Sequence, residues 1–364
     1  MKNLFSNVRG DLFGGITAGI VALPLALAFG VSSGLGPDAG LYGAIFISFF
    51  AALFGGTPTQ ISGPTAPMTA VSMVVIAGII AANNGDVEKA LPIILTVFLL
   101  SGLMQIGLGA AGLGKYIRYI PYPVVSGFMT AIGVIILVTQ ILPSIGYNAK
   151  EDDEFVKQFE VQVEEVVLNR YLKDTKNNKD TKTLTLGDFK NAVSEGESII
   201  EADIIKESKN LASKEASGVL GTIKVLPRAL KFINWLELIL ALGTIFIIYG
   251  FKRITTAVPS TLVALVVMTG ISVGFGLNYR PIEEIPTGFP IPNLGIFTEF
   301  SLSSLTPYIF TALTLALLGA IDSLLTSVVA DNMTKTKHKP NKELVGQGIG
   351  NSIAAVFGGI PGAG

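Results

Sequence analysis

The sequence predicts an all-α polytopic membrane protein in which an inverted repeat brings broken helices together. Composition is the first ground for this. Of 364 residues, 50% are hydrophobic and 15% charged, against about 25% charged in an ordinary soluble domain. Mean hydropathy is +0.59, and apolar runs of span length recur along the chain. A repeated phrase is the second ground. Ala51-Ala52-Leu53-Phe54-Gly55-Gly56-Thr57-Pro58 returns as Ala354-Ala355-Val356-Phe357-Gly358-Gly359-Ile360-Pro361, and each copy ends an apolar segment at a Gly/Pro-rich break. Seven spans separate the copies, and an odd number forces opposite orientations. Inverted repeats with broken helices are the layout of a secondary transporter. Third, the placement of Lys and Arg agrees with the span count.

Nine apolar segments succeed one another, at 12–33, 39–55, 64–82, 90–111, 122–145, 235–251, 258–277, 304–330 and 344–359. The first is too long for a signal-peptide core, so it reads as a span that stays. It contains Ala22-Leu23-Pro24-Leu25-Ala26-Leu27-Ala28-Phe29-Gly30. Pro24 can kink the helix and free a carbonyl, and Ala26, Ala28 and Gly30 permit close packing. Phe29 fits a packing role and a substrate-lining role equally. The third segment starts in the irregular stretch Thr57 to Pro67, so its helix is expected to be short. With Lys2 and Arg9 in the cytoplasm, the cytoplasmic loops carry Lys115 and Arg118, then Lys252 and Arg253, then Lys335, Lys337, Lys339 and Lys342. The short outer loops carry Asp38, then Asp86 and Glu88, then Glu283, Glu284 and Glu299, with only Lys89 and Arg280 among them. Tyr116, Tyr119, Tyr122 and Trp235 fall where interface anchors belong. His338, the only histidine, lies in a basic cytoplasmic loop and is expected to be solvated. Cysteine is absent, which excludes disulfide and thiol chemistry.

Residues 148–230 differ from the rest. They hold 13 Lys/Arg and 16 Asp/Glu, more than half of the charge in the chain. The stretch belongs outside, between the fifth and sixth spans, because long domains translocate largely regardless of charge. A helix is expected within Glu151 to Leu172, a loop over Thr175 to Thr183, and a second helix starting at Thr185 and Asp188. An accessory insertion without chemistry and a docking or gating module both remain open. The organisation is therefore spans one to five over 1–147, an extracytoplasmic charged insertion over 148–230, spans six and seven over 231–300, and spans eight and nine with the start of a tenth over 301–364.

Two features carry chemistry. In Thr57-Pro58-Thr59-Gln60-Ile61-Ser62-Gly63-Pro64-Thr65-Ala66-Pro67-Met68, Pro58, Gly63 and Pro64 prevent a continuous helix. Such backbone is tolerated at membrane depth only against protein or a wet cavity. A helix restarting near Pro64 to Pro67 would aim its free N–H groups and positive dipole end inward, making an anion site without Lys or Arg. Ser62 and Thr65 would add hydroxyl donors. Gly358 to Gly364 would start a second broken helix facing the first. The second feature is Asp322, deep in the run Tyr308 to Ala330, with Thr326 one turn later on the same face. A buried acid in a span usually faces an ion path, and carboxylate with hydroxyl oxygen suits a hard cation or a proton. Asp331, nearer the cytoplasm, reads as structural.

Gly10-Asp11-Leu12-Phe13-Gly14-Gly15, the Ala22–Gly30 run, Phe54–Met68, Ile321-Asp322-Ser323-Leu324-Leu325-Thr326-Ser327 and Gly346-Gln347-Gly348-Ile349-Gly350-Asn351 resemble the SulP (sulfate permease) anion transporters. Within that family they are most similar to the BicA-type sodium-dependent bicarbonate branch, over nearly all of the chain outside 148–230. The resemblance implies a 7+7 inverted-repeat transporter fold with broken half-helices, a core domain moving against a gate domain, and a cytoplasmic STAS domain. It also implies that the present chain is truncated after about nine spans, since a tenth would begin at Gly364. It places the anion between the third and tenth spans, where Thr65 and Ala66 match. Asp322 and Thr326 match sodium ligands of the eighth span, and Gly364 matches a backbone position beside the sodium. The large outer insertion departs from the compact bicarbonate transporters. Leu25 and Ala26 follow Pro24 where many sulfate-type members have a nearby Gln, which favours the bicarbonate branch.

The expected function is sodium-coupled bicarbonate uptake by alternating access. Ser62, Gly63, Thr65, Ala66 and Phe29 are the candidate anion-binding residues, and Asp322, Thr326 and Gly364 the candidate sodium site. No catalytic residue and no cofactor are expected, with Na+ acting as the coupling ion. The expected partners are a small inorganic anion, the lipid bilayer and, as one option, a second copy in a homodimer. The expected location is the inner (plasma) membrane, multi-pass, with the N-terminus cytoplasmic. The alternative is a proton-coupled sulfate or dicarboxylate transporter on the same fold, with Asp322 carrying the proton. A nucleobase transporter would need a side-chain amide or carboxylate facing the base. A non-transporting scaffold is a remote further reading. An intramembrane enzyme is disfavoured, because Asp322 has no Asp, His or Lys partner at its depth and no strand precedes the Gly-x-Gly strings. The net charge of −1 does not bear on nucleic acid; that class is set aside because the sequence has no basic stripe and no RNA-binding motif.

Overall fold

The structure, a computed structural model, describes residues 7–83, 87–117, 122–161, 163–164, 204–213, 215–216, 218–255, 258, 260–279, 290–298 and 305–364. Helices occupy all nine apolar segments. They are α1 (Val8–Ser33), α2 (Pro37–Phe54), α3 (Ala66–Ala82), α4 (Val87–Ala110), α5 (Tyr122–Thr139), α6 (Trp235–Ile254), α7 (Ser260–Gly274), α8 (Ile309–Thr334) and α9 (Pro340–Val356). Five helical stretches among the described residues are long and apolar enough to cross a membrane, while α3 and α7 are shorter apolar helices. At 17 residues, α3 extends about 25 Å, short of a full hydrocarbon core.

Local chemistry sets the ends. The Asn7 side chain accepts from the Gly10 amide at the start of α1, and Gly34 terminates it in a left-handed conformation. Pro37 and Pro340 stand in the first turns of α2 and α9, where a missing N–H costs nothing. Thr65 is the residue before α3, and Pro67 lies in its first turn.

Two compact units are present, Met1–Ile136 with Leu242–Gly364, and Leu137–Ala241. In the first unit, α9 packs most extensively on α4 and α2, α8 packs on α4 and α3, and α1 on α2 and α3. Its core joins Ile94, Leu95 and Phe98 of α4 to Ile76 and Ile79 of α3, Leu315 of α8, and Ala355 and Ile360. By contrast α6 has no buried residue. An apolar helix of that kind needs lipid or another protein surface around it.

The second unit takes in the predicted insertion and extends past it at both ends. Its core gathers Leu142, Ile145, Tyr147, Ala149, Ala216, Val225 and Ala229. Asp152 caps the helix over 153–161 by accepting from the Phe155 amide. Arg228, on the helix Gly218–Ala229, clasps the Asp152 carboxylate through Nε and Nη2, and the Tyr147 hydroxyl donates to the same group at 2.8 Å. The loop expected at 175–183 and the helix expected from Thr185 lie outside the described residues.

Trp235 and Tyr116 are exposed, as interface anchors should be. His338 corrects the expectation of a solvated residue. Its side chain is only 11% exposed, and Nδ1 lies 2.7 Å from Asp331 Oδ2. The His338 amide and the Thr336 hydroxyl donate to the same carboxylate. Asp331 thus organises the turn between α8 and α9, whose chain reversal is completed by Lys335 in a left-handed conformation.

Candidate functional site

The two copies of the repeated phrase meet. After Phe54 the chain leaves the helix, stays irregular to Thr65, and restarts as α3 at Ala66. After α9 it becomes irregular again through Gly364. Gly63 and Ala363 form an antiparallel bridge, in which each amide donates to the other residue's carbonyl at 2.9 Å. The offset that aligns Phe54 with Phe357 also aligns Pro37 with Pro340 and Gly43 with Gly346. The packing follows the same symmetry. A Cβ on Gly346 would overlap the Gly55 backbone, and one on Gly43 would come within 2.6 Å of the Ile360 carbonyl oxygen. Phe46 stacks on Phe357 with ring centroids 4.2 Å apart, which fastens the second break to α2.

Asp322 of α8 is 5% exposed and faces this junction. Thr65 Oγ1 donates to Asp322 Oδ2 at 2.9 Å. Among the described residues no Lys, Arg or His pairs with Asp322. The acid therefore sits beside the start of α3 with one hydroxyl donor and, among the described residues, no cationic side chain.

The other predicted residues divide. Ser62 is buried, but its hydroxyl accepts from Gln347 Nε2 at 2.6 Å. Gly63 lends its amide to the bridge with Ala363, so that amide is taken up by the protein and does not serve an anion. The Thr65 hydroxyl likewise serves Asp322 and is not a free donor. Ala66, half-buried, is the first residue of α3 and presents an amide of its first turn. Phe29 packs half-buried against the core cluster. Gly364 does lie at the junction, its amide 3.2 Å from Ser323 Oγ. Thr326 is half-buried, whereas Ser323 and Ser327 are the fully buried hydroxyls on that part of α8.

Several polar residues at the junction escaped the sequence reading. Gln60 Nε2 donates to the Ser323 carbonyl, and Gln60 Oε1 accepts from Ser327. Thr57 Oγ1 lies 2.8 Å from Ser327 Oγ. Asn351 of α9 grips Gly362 at both ends, donating to its carbonyl and accepting from its amide, and also donates to Gln105 Oε1 of α4. Glu343 and Gln347, one turn apart on α9, hold the opposite side of the first break. The signal available was a buried polar stripe, Glu343, Gln347 and Asn351, at four-residue spacing in a helix otherwise rich in Gly and Ala.

Comparison with known proteins agrees with this geometry. The sulfate permease family model matches residues 8–167 and 198–364, and the unmatched stretch falls in the charged insertion. The bicarbonate transporter BicA of Synechocystis sp. is 40% identical over 363 residues, covering 99% of this chain and 52% of that protein. BicA of Picosynechococcus sp. is 39% identical over 367 residues, with the same coverage, 99% and 52%. The chain thus spans about half the length of the curated relatives it matches. The solved transmembrane domain of a cyanobacterial bicarbonate transporter BicA aligns with a TM-score of 0.74 at 38% identity, over 99% of this chain and 74% of that one. SLC26A9 shares the fold with a TM-score of 0.66 at 19% identity, over 98% of this chain and 49% of that one. The inverted-repeat transporter fold is common to these neighbours and to this chain, and the proteins named are transporters rather than enzymes.

Proposed function

The chain belongs to the sulfate permease family, and on that premise we propose that it forms the ion-binding part of a sodium-coupled bicarbonate transporter working by alternating access. The observation that carries this is Asp322. A carboxylate so buried, with one hydroxyl donor and no cationic side chain among the described residues, is short of compensation, and several kcal/mol separate an unpaired buried charge from a paired one. A sodium ion supplies the missing charge. Asp322, with Thr326 and backbone at Gly364, would be its protein ligands, since oxygen ligands suit a hard cation. Bicarbonate would then lie at the amide end of α3, near Ala66, with local charge close to zero. The likeness to proteins named bicarbonate transporters favours that anion.

In membrane topology, the apolar helices and the family make this a multi-pass membrane protein. The Lys/Arg bias supports a cytoplasmic N-terminus in the inner membrane.

Labelled bicarbonate uptake into vesicles containing the full-length protein tests the reading. Wild type should require sodium, and Asp322→Asn should lose that requirement together with most of the rate. Sodium-independent uptake of labelled sulfate or a dicarboxylate by wild type, driven by a pH gradient, would point to the proton-coupled alternative.

A further inference from the structure

The first break is held from its far side by an acid that the ion site does not use. Glu343 is 2% exposed. Its Oε2 accepts the consecutive amides of Gly56 and Thr57 at 2.7 and 2.8 Å, and its Oε1 accepts from Gln347 Nε2 at 2.8 Å. All three partners donate, so the carboxyl group acts as an acceptor in a nest of consecutive backbone amides. It also lies in the first turn of α9, where the positive dipole end favours an anion. Gln347 uses the same nitrogen to reach Ser62 Oγ at 2.6 Å. One side chain therefore grips the break at Gly56–Thr57 directly and at Ser62 through Gln347. Ser62 adjoins the Gly63–Ala363 bridge and lies three residues before Thr65.

The second break is held differently. The offset that aligns Phe54 with Phe357 sets Thr57 opposite Ile360 and Glu343 opposite Gly40. The Ile360 amide donates to the backbone carbonyl of Ala39 at 3.0 Å, and Gly40 leaves room for α1, packing on the backbone of Gly30. The repeat is symmetric in backbone and asymmetric in chemistry, because among the described residues only the first break is held by an acidic side chain from the other half.

We propose that Glu343 is a positioning residue for the ion site. It holds the first break so that Thr65 and the amide end of α3 meet Asp322, and it touches neither ion. The effect on transport rests on the bicarbonate reading above, whereas the clamp itself does not.

The experiment is hydrogen exchange on the full-length protein, paired with uptake kinetics, for wild type, Glu343→Gln and Glu343→Ala. Glu343→Gln keeps the shape and weakens the acceptor; Glu343→Ala removes it. Exchange at Gly56 and Thr57 should rise about tenfold in the glutamine variant and more in the alanine variant, as local opening becomes easier. Peptides from α4 should exchange as in wild type. The KM for bicarbonate should rise about tenfold in the glutamine variant with a smaller change in kcat. If the alanine variant fails to fold, the glutamine variant decides alone. Unchanged exchange at the break overturns the proposal. Equally faster exchange throughout the unit, or a loosened break with unchanged KM, reduces Glu343 to a merely structural role and overturns it too. If wild type moves no bicarbonate while the break alone loosens in the variants, the clamp stands and the substrate assignment falls.

Discussion

Thr65 is the residue at which sequence and structure part in an instructive way. Its position before α3 made it a candidate anion donor, yet its hydroxyl points to the Asp322 carboxylate at 2.9 Å. It therefore acts first on the charge that the coupling ion would neutralise. A hydrogen bond to a charged group is worth about 1.5–3 kcal/mol. Thr65→Val keeps the shape and removes the donor, so it should weaken the apparent affinity for sodium at least tenfold, and that for bicarbonate with it. Uptake titrated in each ion at fixed concentration of the other checks this. A change confined to bicarbonate would return Thr65 to the simpler role. Glycine contacts make a second residue-scale case. Gly346 packs directly on the Gly55 backbone, whereas nothing lies within 4 Å of a Cβ placed on Gly78. Gly346→Ala should destabilise the protein by about 1–3 kcal/mol, seen as an earlier thermal melt in detergent, while Gly78→Ala should melt no earlier than wild type.

Among the elements, the helix start at 153–161 and the helix Gly218–Ala229 are joined at Arg228, which clasps Asp152 and also donates to Glu154 Oε2 at 3.0 Å, and Tyr147 leans on the clasp. The hydrogen-bonded Arg228 guanidinium holds the Asp152 carboxyl below its ordinary pKa, against the opposing effect of burial, and the Tyr147 hydroxyl assists. Burial, and then its bond to Asp152, push Tyr147 up to about 12. For a carboxyl depressed in the folded state, the stability contributed is present above the unfolded pKa and is lost as pH falls through the folded one. The second unit should therefore hold from neutral pH down to the ordinary carboxylate range and loosen below it. Arg228→Met should cost about 1–3 kcal/mol at neutral pH and abolish much of that acid dependence. Limited proteolysis across a pH series, scored at 153–161, measures both. The legibility of elements varied for physical reasons. Helices α1 to α9 were readable because apolar runs of span length have few other fates in a membrane. The breaks were readable because Pro58, Pro64 and the glycines cannot continue a helix, and Asp322 because a charge inside an apolar run is costly. The stripe on α9 was not read as a site. Its predicted span began at 344, which left Glu343 among the polar residues of a loop, and amides such as Gln60 and Gln347 carry no charge to betray their burial. One-turn spacing from Asp322 names the face that carries Thr326, but not the neighbours that bury Ser323 and Ser327 beside it.

At the scale of the whole molecule, alternating access requires some parts to move together and others to part. The first unit shows which contacts bind the site into one body. The breaks are paired to each other at Gly63 and Ala363. The first break is tied to α8 through Gln60 with Ser323, and Thr57 with Ser327. The second is tied to α9 and α4 through Asn351 and Gln105. A network that binds three helices and two breaks by direct hydrogen bonds cannot be opened in each cycle without exposing many buried polar groups at once, each costing about 1–3 kcal/mol unpaired. On the proposed alternating-access reading, the breaks and α8 should therefore travel as a unit, with the sliding surfaces elsewhere. Thr57 and Ser327 give a direct test, since their side-chain oxygens are 2.8 Å apart and residues 1–364 hold no cysteine, so that any cysteine elsewhere in the full-length protein is first replaced by serine. In the full-length protein, cysteines at both positions should form a disulfide on mild oxidation with little adjustment of backbone. Oxidised and reduced forms of that same variant should then take up bicarbonate at equal rates, with a mobility shift on gels confirming the bond. Arrest on oxidation and recovery on reduction would instead show that the first break leaves α8 during the cycle, and the site would have to be assembled afresh in each half of it.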